Sequence, residues 1–303
     1  MRKRYSRIVS LLLILVIVMC GCGDSKTYPS EYEESPSPTL EELKLPQASG
    51  GQVMGDSQGI VSIDVSNVNQ GYLCATLQRD PGKKVKLSIT KDDAGNSPYD
   101  LMVVGKNETF PFASGSGTYL VRILLNTTGD MYSVLFTQYI DVMLENEQIP
   151  FLYPNQIVDY NADSKTIQKA FALTKDDTTV LQRIATLYNY VVDTIEYDDE
   201  KADQVDDIYV LPVVDETLNT KKGICFDYAA LLTAMLRSQQ IPTRLVTGNT
   251  SIEYHAWVEV YLPEKGWISA DVLLNSKKWS RMDPTFAASR SDYEDGYEDK
   301  YYY

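Results

Sequence analysis

From Ile60 to Leu144 the dominant hydrophobic period is two. Val61, Ile63 and Val65 alternate with Ser62, Asp64 and Ser66, and Val85, Leu87 and Ile89 repeat the pattern. Tyr119, Val121, Ile123 and Leu125 continue it, followed by Tyr132, Val134 and Phe136. Side chains of a strand point alternately to its two faces, so each run predicts a half-buried strand. Asp80-Pro81-Gly82, Ala94-Gly95-Asn96, Gly115-Ser116-Gly117 and Thr128-Gly129-Asp130 supply turns between the runs. About six or seven short strands with regular turns predict an immunoglobulin-like β-sandwich over residues 60–147. The period then lengthens. Val180, Ile184, Leu187, Val191 and Ile195 fall on one face of a helix, with Asp176, Asp177 and Thr178 as its acidic and capping start. A shorter amphipathic segment, Ser164–Leu173, precedes it, so the domain boundary falls within Glu145–Gln156.

The two ends of the chain break both periods. Arg2, Lys3, Arg4 and Arg7 precede an apolar run from Ile8 to Met19. That run is too short to cross a hydrocarbon core of ~30 Å as a helix, and it reads as the apolar part of a signal peptide over residues 1–21. Gly21 before Cys22 resembles a bacterial lipobox, which makes Cys22 the expected lipidation site and the outer face of the cell membrane the expected address. An ordinary signal peptide with incidental cysteines is the alternative. Residues 22–59 are rich in Pro, Ser, Glu and Gly and predict a flexible tether. The acidic, tyrosine-rich tail 289–303 predicts a disordered or surface-lying segment.

Composition narrows the function. The net charge is −14, and losing residues 1–21 removes four basic side chains and makes it more negative. No basic patch remains to follow a phosphate backbone, which excludes nucleic acid as an expected partner. Beyond the signal boundary only Cys74 and Cys225 remain. A disulfide between them would join two apparently separate domains, so the reading is one buried strand cysteine and one reactive thiol.

Cys225 lies in Lys222-Gly223-Ile224-Cys225-Phe226-Asp227-Tyr228-Ala229, where a glycine runs straight into a helix whose apolar face includes Cys225, Ala229, Leu232 and Leu236. A thiol in a first helical turn feels the partial positive charge of the helix end, which favours thiolate. A packed core cysteine is the competing reading. It weakens because the sole histidine, His255, opens a strand in which Ala256, Val258, Val260 and Leu262 alternate with a more polar face of His255, Trp257, Glu259 and Tyr261. A neutral imidazole can take a thiol proton and return it to a leaving group, and a carboxylate further on could orient it.

These pieces match a family. Gly-x-Cys-x-Asp-Tyr-Ala, then Ile241-Pro242-Thr243-Arg244, then His-Ala-Trp-Val-Glu-Val and Trp-x-x-x-Asp resemble, in that order, the core of the transglutaminase-like superfamily, the papain-type Cys-His-Asp enzymes. Tyr197-Asp198 and Tyr209–Thr217 resemble lead-in segments of its secreted, clostridial-type lipoprotein members. The resemblance implies an α+β catalytic domain over 155–288 behind the β-sandwich, and a thioester formed on Cys225 from a protein or peptide amide. Cross-linking and hydrolysis are both left open by it. Two segments carry the third motif: Trp267-Ile268-Ser269-Ala270-Asp271 and Trp279-Ser280-Arg281-Met282-Asp283. Asp283, followed by Pro284-Thr285, is the preferred third member of the triad, with Gly266–Leu274 as an inserted strand; Asp271 is the alternative. Trp257 is expected to pack and to wall the cleft.

Glu259, Asp227 and Asp271 near His255 invite a metal reading, but one His and one thiol make a poor zinc set. Neither a cofactor nor a metal is expected, and Asp92-Asp93 and the acids of 292–299 read as solvated loops. The competing function is a non-catalytic surface adhesion or scaffold protein that retains the fold.

Overall fold

The computed structural model describes residues 33–91, 96–205, 210–249, 254–269 and 298–303. The first half is built from β1 (Val53–Gly55), β2 (Val61–Asp64), β3 (Tyr72–Leu77), β4 (Val85–Thr90), β5 (Asn96–Leu101), β6 (Asn107–Pro111), β7 (Gly117–Thr128) and β8 (Met131–Val142). They form two antiparallel four-stranded sheets, ordered β1-β2-β3-β6 and β5-β4-β7-β8. The alternation read from the sequence decides which residues face inward. Ile63, Leu87, Val121 and Ile123 are fully buried, and the Tyr99 ring of one sheet meets Phe110 of the other with centroids 4.9 Å apart.

The second half runs α1 (Lys165–Thr174), α2 (Val180–Thr194), β9 (Glu196–Tyr197), α3 (Asp199–Val205), α4 (Val214–Thr220), β10 (Lys222–Gly223), α5 (Cys225–Ser238), β11 (Thr243–Asn249), β12 (Tyr254–Leu262), β13 (Gly266–Ser269) and β14 (Glu298–Tyr302). The strands form an antiparallel sheet ordered β13-β12-β11-β14 and a short parallel pair, β9 with β10. The buried stripe of α2 is the expected one, Val180, Ile184, Leu187 and Val191. Its cap, however, is Thr179 rather than the three residues before it. Thr179 Oγ1 accepts the Gln182 N–H at 3.2 Å while Gln182 Oε1 accepts the Thr179 N–H at 3.1 Å, a reciprocal capping box. Helix α5 packs across β12 and β11, and almost every residue along it is buried.

Three expectations change. The halves, read as apparently separate domains, share one apolar core, and residues 149–158 of the boundary segment are all buried. Tyr153 stacks on Tyr72 at 4.9 Å, and Gln156 donates its amide N–H to Thr109 and its side chain to Asp100 at 2.7 Å.

The expected tether is likewise, from Glu33 onward, a strap. Ser35 accepts from the buried Arg183 guanidinium at 2.6 Å and Ser37 Oγ donates to Thr174 at 2.7 Å. Further on, Leu43 and Leu45 pack on the core, and β1 joins a sheet. Buried Arg183 needs acceptors, and the extended strap backbone provides them.

Third, the tail is neither disordered nor merely surface-lying where it is described. Residues Glu298–Tyr302 pair as β14 with β11, which would otherwise present an open edge. Cys22 and residues 1–32 lie outside the described residues. Among those described, no helix is long and apolar enough to cross a membrane.

Candidate active site

The start of α5 is built without the usual capping side chain. The N-cap position is Ile224, in extended conformation, which cannot accept a hydrogen bond. The cap comes instead from Asp227, three residues on, whose Oδ2 accepts the Ile224 N–H at 2.9 Å. To do so the Asp227 side chain folds onto Gly223. A Cβ at Gly223 would lie 2.6 Å from Asp227 Cβ, which explains why a glycine stands two residues before the cysteine. Asp227 is buried and makes an ion pair with Lys201 of α3 at 2.7 Å. The next residue, Tyr228, is also buried and donates its hydroxyl to the Ile195 carbonyl at the end of α2 at 2.5 Å. Cys225 thus occupies the first helical position of a helix fixed at its beginning by two side chains.

Cys225 is partly exposed, whereas Cys74 is buried in β3, and both are thiols rather than halves of a disulfide. Burial pushes the Cys74 thiol up despite its contact with Thr109, so it is the inert one of the pair.

His255 is the second residue of β12, opposite Gly248 of β11. Both faces of β12 are covered: His255 is 2% exposed, Trp257 0% and Glu259 7%, so the face read as polar is in fact interior. Burial pushes the His255 imidazole down to about 4, which leaves it neutral, and so able to accept a proton, at neutral pH. Tyr254, one residue earlier, donates its hydroxyl to Thr247 at 2.8 Å. Burial chiefly raises its pKa, with Tyr301 and Cys225 adding to the rise electrostatically. Helix α5 packs against β12, and the residue before His255, Tyr254, feels the Cys225 charge.

The rest of the sheet shores up this corner. The Trp257 ring lies against Gly248, where a Cβ would collide with the Glu298 carbonyl of β14. Opposite Glu259, Arg244 bonds its carboxylate at 2.7 Å. The same guanidinium is held between the rings of Trp267 and Tyr302, at 4.5 and 4.1 Å. A pocket of about 410 Å³ opens between α3, α4 and β10, lined in part by Asp198, Lys201, Leu211, Val213, Glu216 and Lys222. Among the described residues no group of three His, Cys, Asp or Glu side chains could hold a metal ion.

Asp271 and Asp283 lie outside the described residues, and the segment Gly266–Leu274 is described only as far as Ser269, where it is β13. Sequence reasoning passed over two residues, Lys201 and Tyr254, and weighed Asp227 only as a metal ligand. An acid three residues after a helix start was the available signal for its capping role; Lys201 carried none.

Residues 167–272 match the model of the transglutaminase-like superfamily. The uncharacterized Bacillus subtilis protein YebA is 31% identical over 121 residues, 33% of this chain and 16% of that protein. A protein-glutamine γ-glutamyltransferase of Pseudomonas aeruginosa is 37% identical over 73 residues, 20% of this chain and 11% of that protein. The aligned part is thus a small fraction of the length of either curated relative. Among solved structures, a proposed cysteine protease of Cytophaga hutchinsonii superposes with a TM-score of 0.37 at 19% identity, over 61% of this chain and 70% of that one. Red sea bream transglutaminase gives 0.26 at 14% identity, over 66% and 48%. With the ordered motifs, the cysteine at the start of α5 and the family match in agreement, residues 167–272 are a transglutaminase-like domain.

Proposed function

We propose that this chain is a thiol acyltransferase or hydrolase acting on protein or peptide amides, with Cys225 as nucleophile, His255 as general base and acid, and an aspartate orienting the imidazole. The observation that carries the proposal is the packing of α5 against β12, with a partly exposed Cys225 as the first residue of one and a buried His255 as the second residue of the other. The Cys225 thiol gives its proton to neutral His255, and the sulfur bonds to the amide carbon. The tetrahedral intermediate then collapses, breaking the C–N bond, and the imidazolium hands its proton to the departing amine. An incoming amine or water loses a proton to His255, attacks the thioester and releases the thiol. Similarity to a protein-glutamine γ-glutamyltransferase supports a glutamine carboxamide as the acyl donor.

A buried imidazolium is costly, so the intermediate needs a carboxylate beside it. Two observations favour Asp271 over Asp283 for that role. The family match ends at residue 272. In addition, β13 runs antiparallel to β12 towards its His255 end, with Ser269 opposite Glu259, two residues before Asp271.

The first half supports the immunoglobulin-like reading in two ways. Its sheet order places β3 beside β6 and β4 beside β7, as Greek-key connections do. Near the start of β7 the Tyr119 hydroxyl donates to the Gly115 carbonyl at 2.7 Å, the bond of a tyrosine corner. The signal segment and Cys22 support lipid anchoring at the outer membrane face, with cell-surface or wall peptides as substrates. Labelled fatty acid incorporated into the full chain and lost in Cys22→Ser would test this.

The deciding experiment incubates the full-length chain with a glutamine-donor peptide and a labelled amine. Incorporation of label identifies a transferase, and ammonia release without incorporation a hydrolase. Absence of both, with Cys225 alkylated by iodoacetamide no faster than an ordinary cysteine, overturns the enzymatic reading and leaves a surface scaffold.

A further inference from the structure

Asp227 is 2% exposed, and the Lys201 ammonium lies 2.8 Å from its Oδ1 and 2.7 Å from its Oδ2. Through Oδ2 the same carboxylate holds the Ile224 N–H, the peptide group just ahead of Cys225. A full negative charge is therefore fixed at the helix end whose partial positive charge should favour the Cys225 thiolate. In a half-buried corner two anions repel strongly, so the cap that shapes the turn works against the nucleophile it presents. Lys201 cancels that charge. Its backbone is also tied to the Cys225 turn: Asp198 Oδ1 accepts the Lys201 N–H at 3.0 Å, and the Asp198 N–H donates to the Gly223 carbonyl at 3.0 Å.

We propose that Lys201 is a positioning residue for the reaction, acting through Asp227: it neutralises the capping carboxylate so that the turn can be held by Asp227 without suppressing the Cys225 thiolate. The proposal rests on Cys225 being the nucleophile. Other titratable groups on elements packed around the turn include Tyr254 and His255 on β12, Glu196 and Tyr197 on β9, Asp198 just before α3, Glu216 on α4, Lys222 on β10 and Tyr228 on α5 itself. All of them stay unchanged in the variants that follow.

The test measures iodoacetamide alkylation of the Cys225 peptide in the full-length chain by mass spectrometry, from about pH 5 to about pH 9, with circular dichroism as the control for folding. Lys201→Met should slow alkylation at about pH 6 roughly tenfold and move the midpoint up by about one unit. Lys201→Arg should stay near wild type. The decisive variant is Lys201→Met combined with Asp227→Asn. Removing both charges should restore the rate to within about threefold of wild type, which a merely structural role for Lys201 does not predict.

An unchanged rate in Lys201→Met overturns the proposal. So does a double variant that is folded but still slow. Should the single variant unfold, the double variant decides in the same way. If wild-type Cys225 is itself no more reactive than an ordinary cysteine, the nucleophile reading falls and takes this one with it; the single-variant result alone removes only the role of Lys201.

Discussion

The two ends of α5 are built on opposite plans. At its N-terminal end a partly exposed cysteine opens a turn held by the Asp227 carboxylate and the Lys201 ammonium. At its C-terminal end Arg237 is fully buried and donates to the carbonyls of Thr243 at 2.8 Å, Tyr153 at 2.7 Å and Tyr303 at 2.6 Å. Those three acceptors come from the beginning of β11, from the packed segment between the halves and from the end of β14. Burial lowers the Arg237 pKa to about 10, so the side chain remains charged under ordinary conditions. Both charges suit the helix dipole, acid first and base last. The difference is in what each end leaves open. One end uses its charge to join three segments with nothing to spare; the other balances two charges against each other and leaves a thiol accessible. A rigid far end lets the near end keep reactive groups without losing the helix.

The contrast can be broken most forcefully at Arg237. Arg237→Ala should cost about 3–5 kcal/mol in urea unfolding, because three buried carbonyls lose a charged donor together. A loss below about 1 kcal/mol would show that the far end is no anchor.

His255 comes next. Folding lowers its pKa from 6.5 to about 4, so the unfolded chain takes up the proton first. The histidine's contribution is complete above pH 6.5, falls as the pH drops and levels off below about 4. Stability should therefore decline by about 3 kcal/mol more in wild type than in His255→Gln over that window. Equal slopes would place the imidazole in contact with water.

Gly223→Ala should cost about 2 kcal/mol through overpacking against Asp227 and should slow Cys225 alkylation, whereas Arg237→Ala, if still folded, should leave alkylation alone. Smallest is Tyr228→Phe, at about 1 kcal/mol for the lost bond to Ile195; a neutral result would assign the placement of α5 to packing alone.

The sheets and helices were legible because each repeats a simple period. Val61, Ile63 and Val65, Val85, Leu87 and Ile89, and Tyr119, Val121 and Ile123 are buried as their alternation implies, and α2 buries its expected stripe. The cysteine at a helix start and the histidine on a strand were legible for the same reason. The strap was not, because it has no period: it is held by backbone groups and by one buried arginine, Arg183, far along the chain. Strand β14 was hidden by its composition. Its acidic residues read as solvated, yet its pairing depends on backbone bonds to β11 and on Tyr302 covering Arg244. The buried state of His255 escaped a pattern that took Trp257, Glu259 and Tyr261 for a polar face, when the Arg244 pair and the surrounding aromatic rings make that face interior. Two Trp-x-x-x-Asp segments gave the proposed orienting carboxylate two addresses, and sequence spacing could not weigh the direction in which β13 runs.

The strap would also limit how far the protein could stand from the lipid anchor proposed above. With a lipid on Cys22, the chain is fastened to the protein again at Ser35, about 13 residues later; fully extended these reach at most about 45 Å. A chain loose as far as Gly59 would have allowed about 130 Å. Were Cys22 lipidated as proposed, Ser35 would be held within that distance of the bilayer, and a substrate would have to come to the protein there, whatever its affinity.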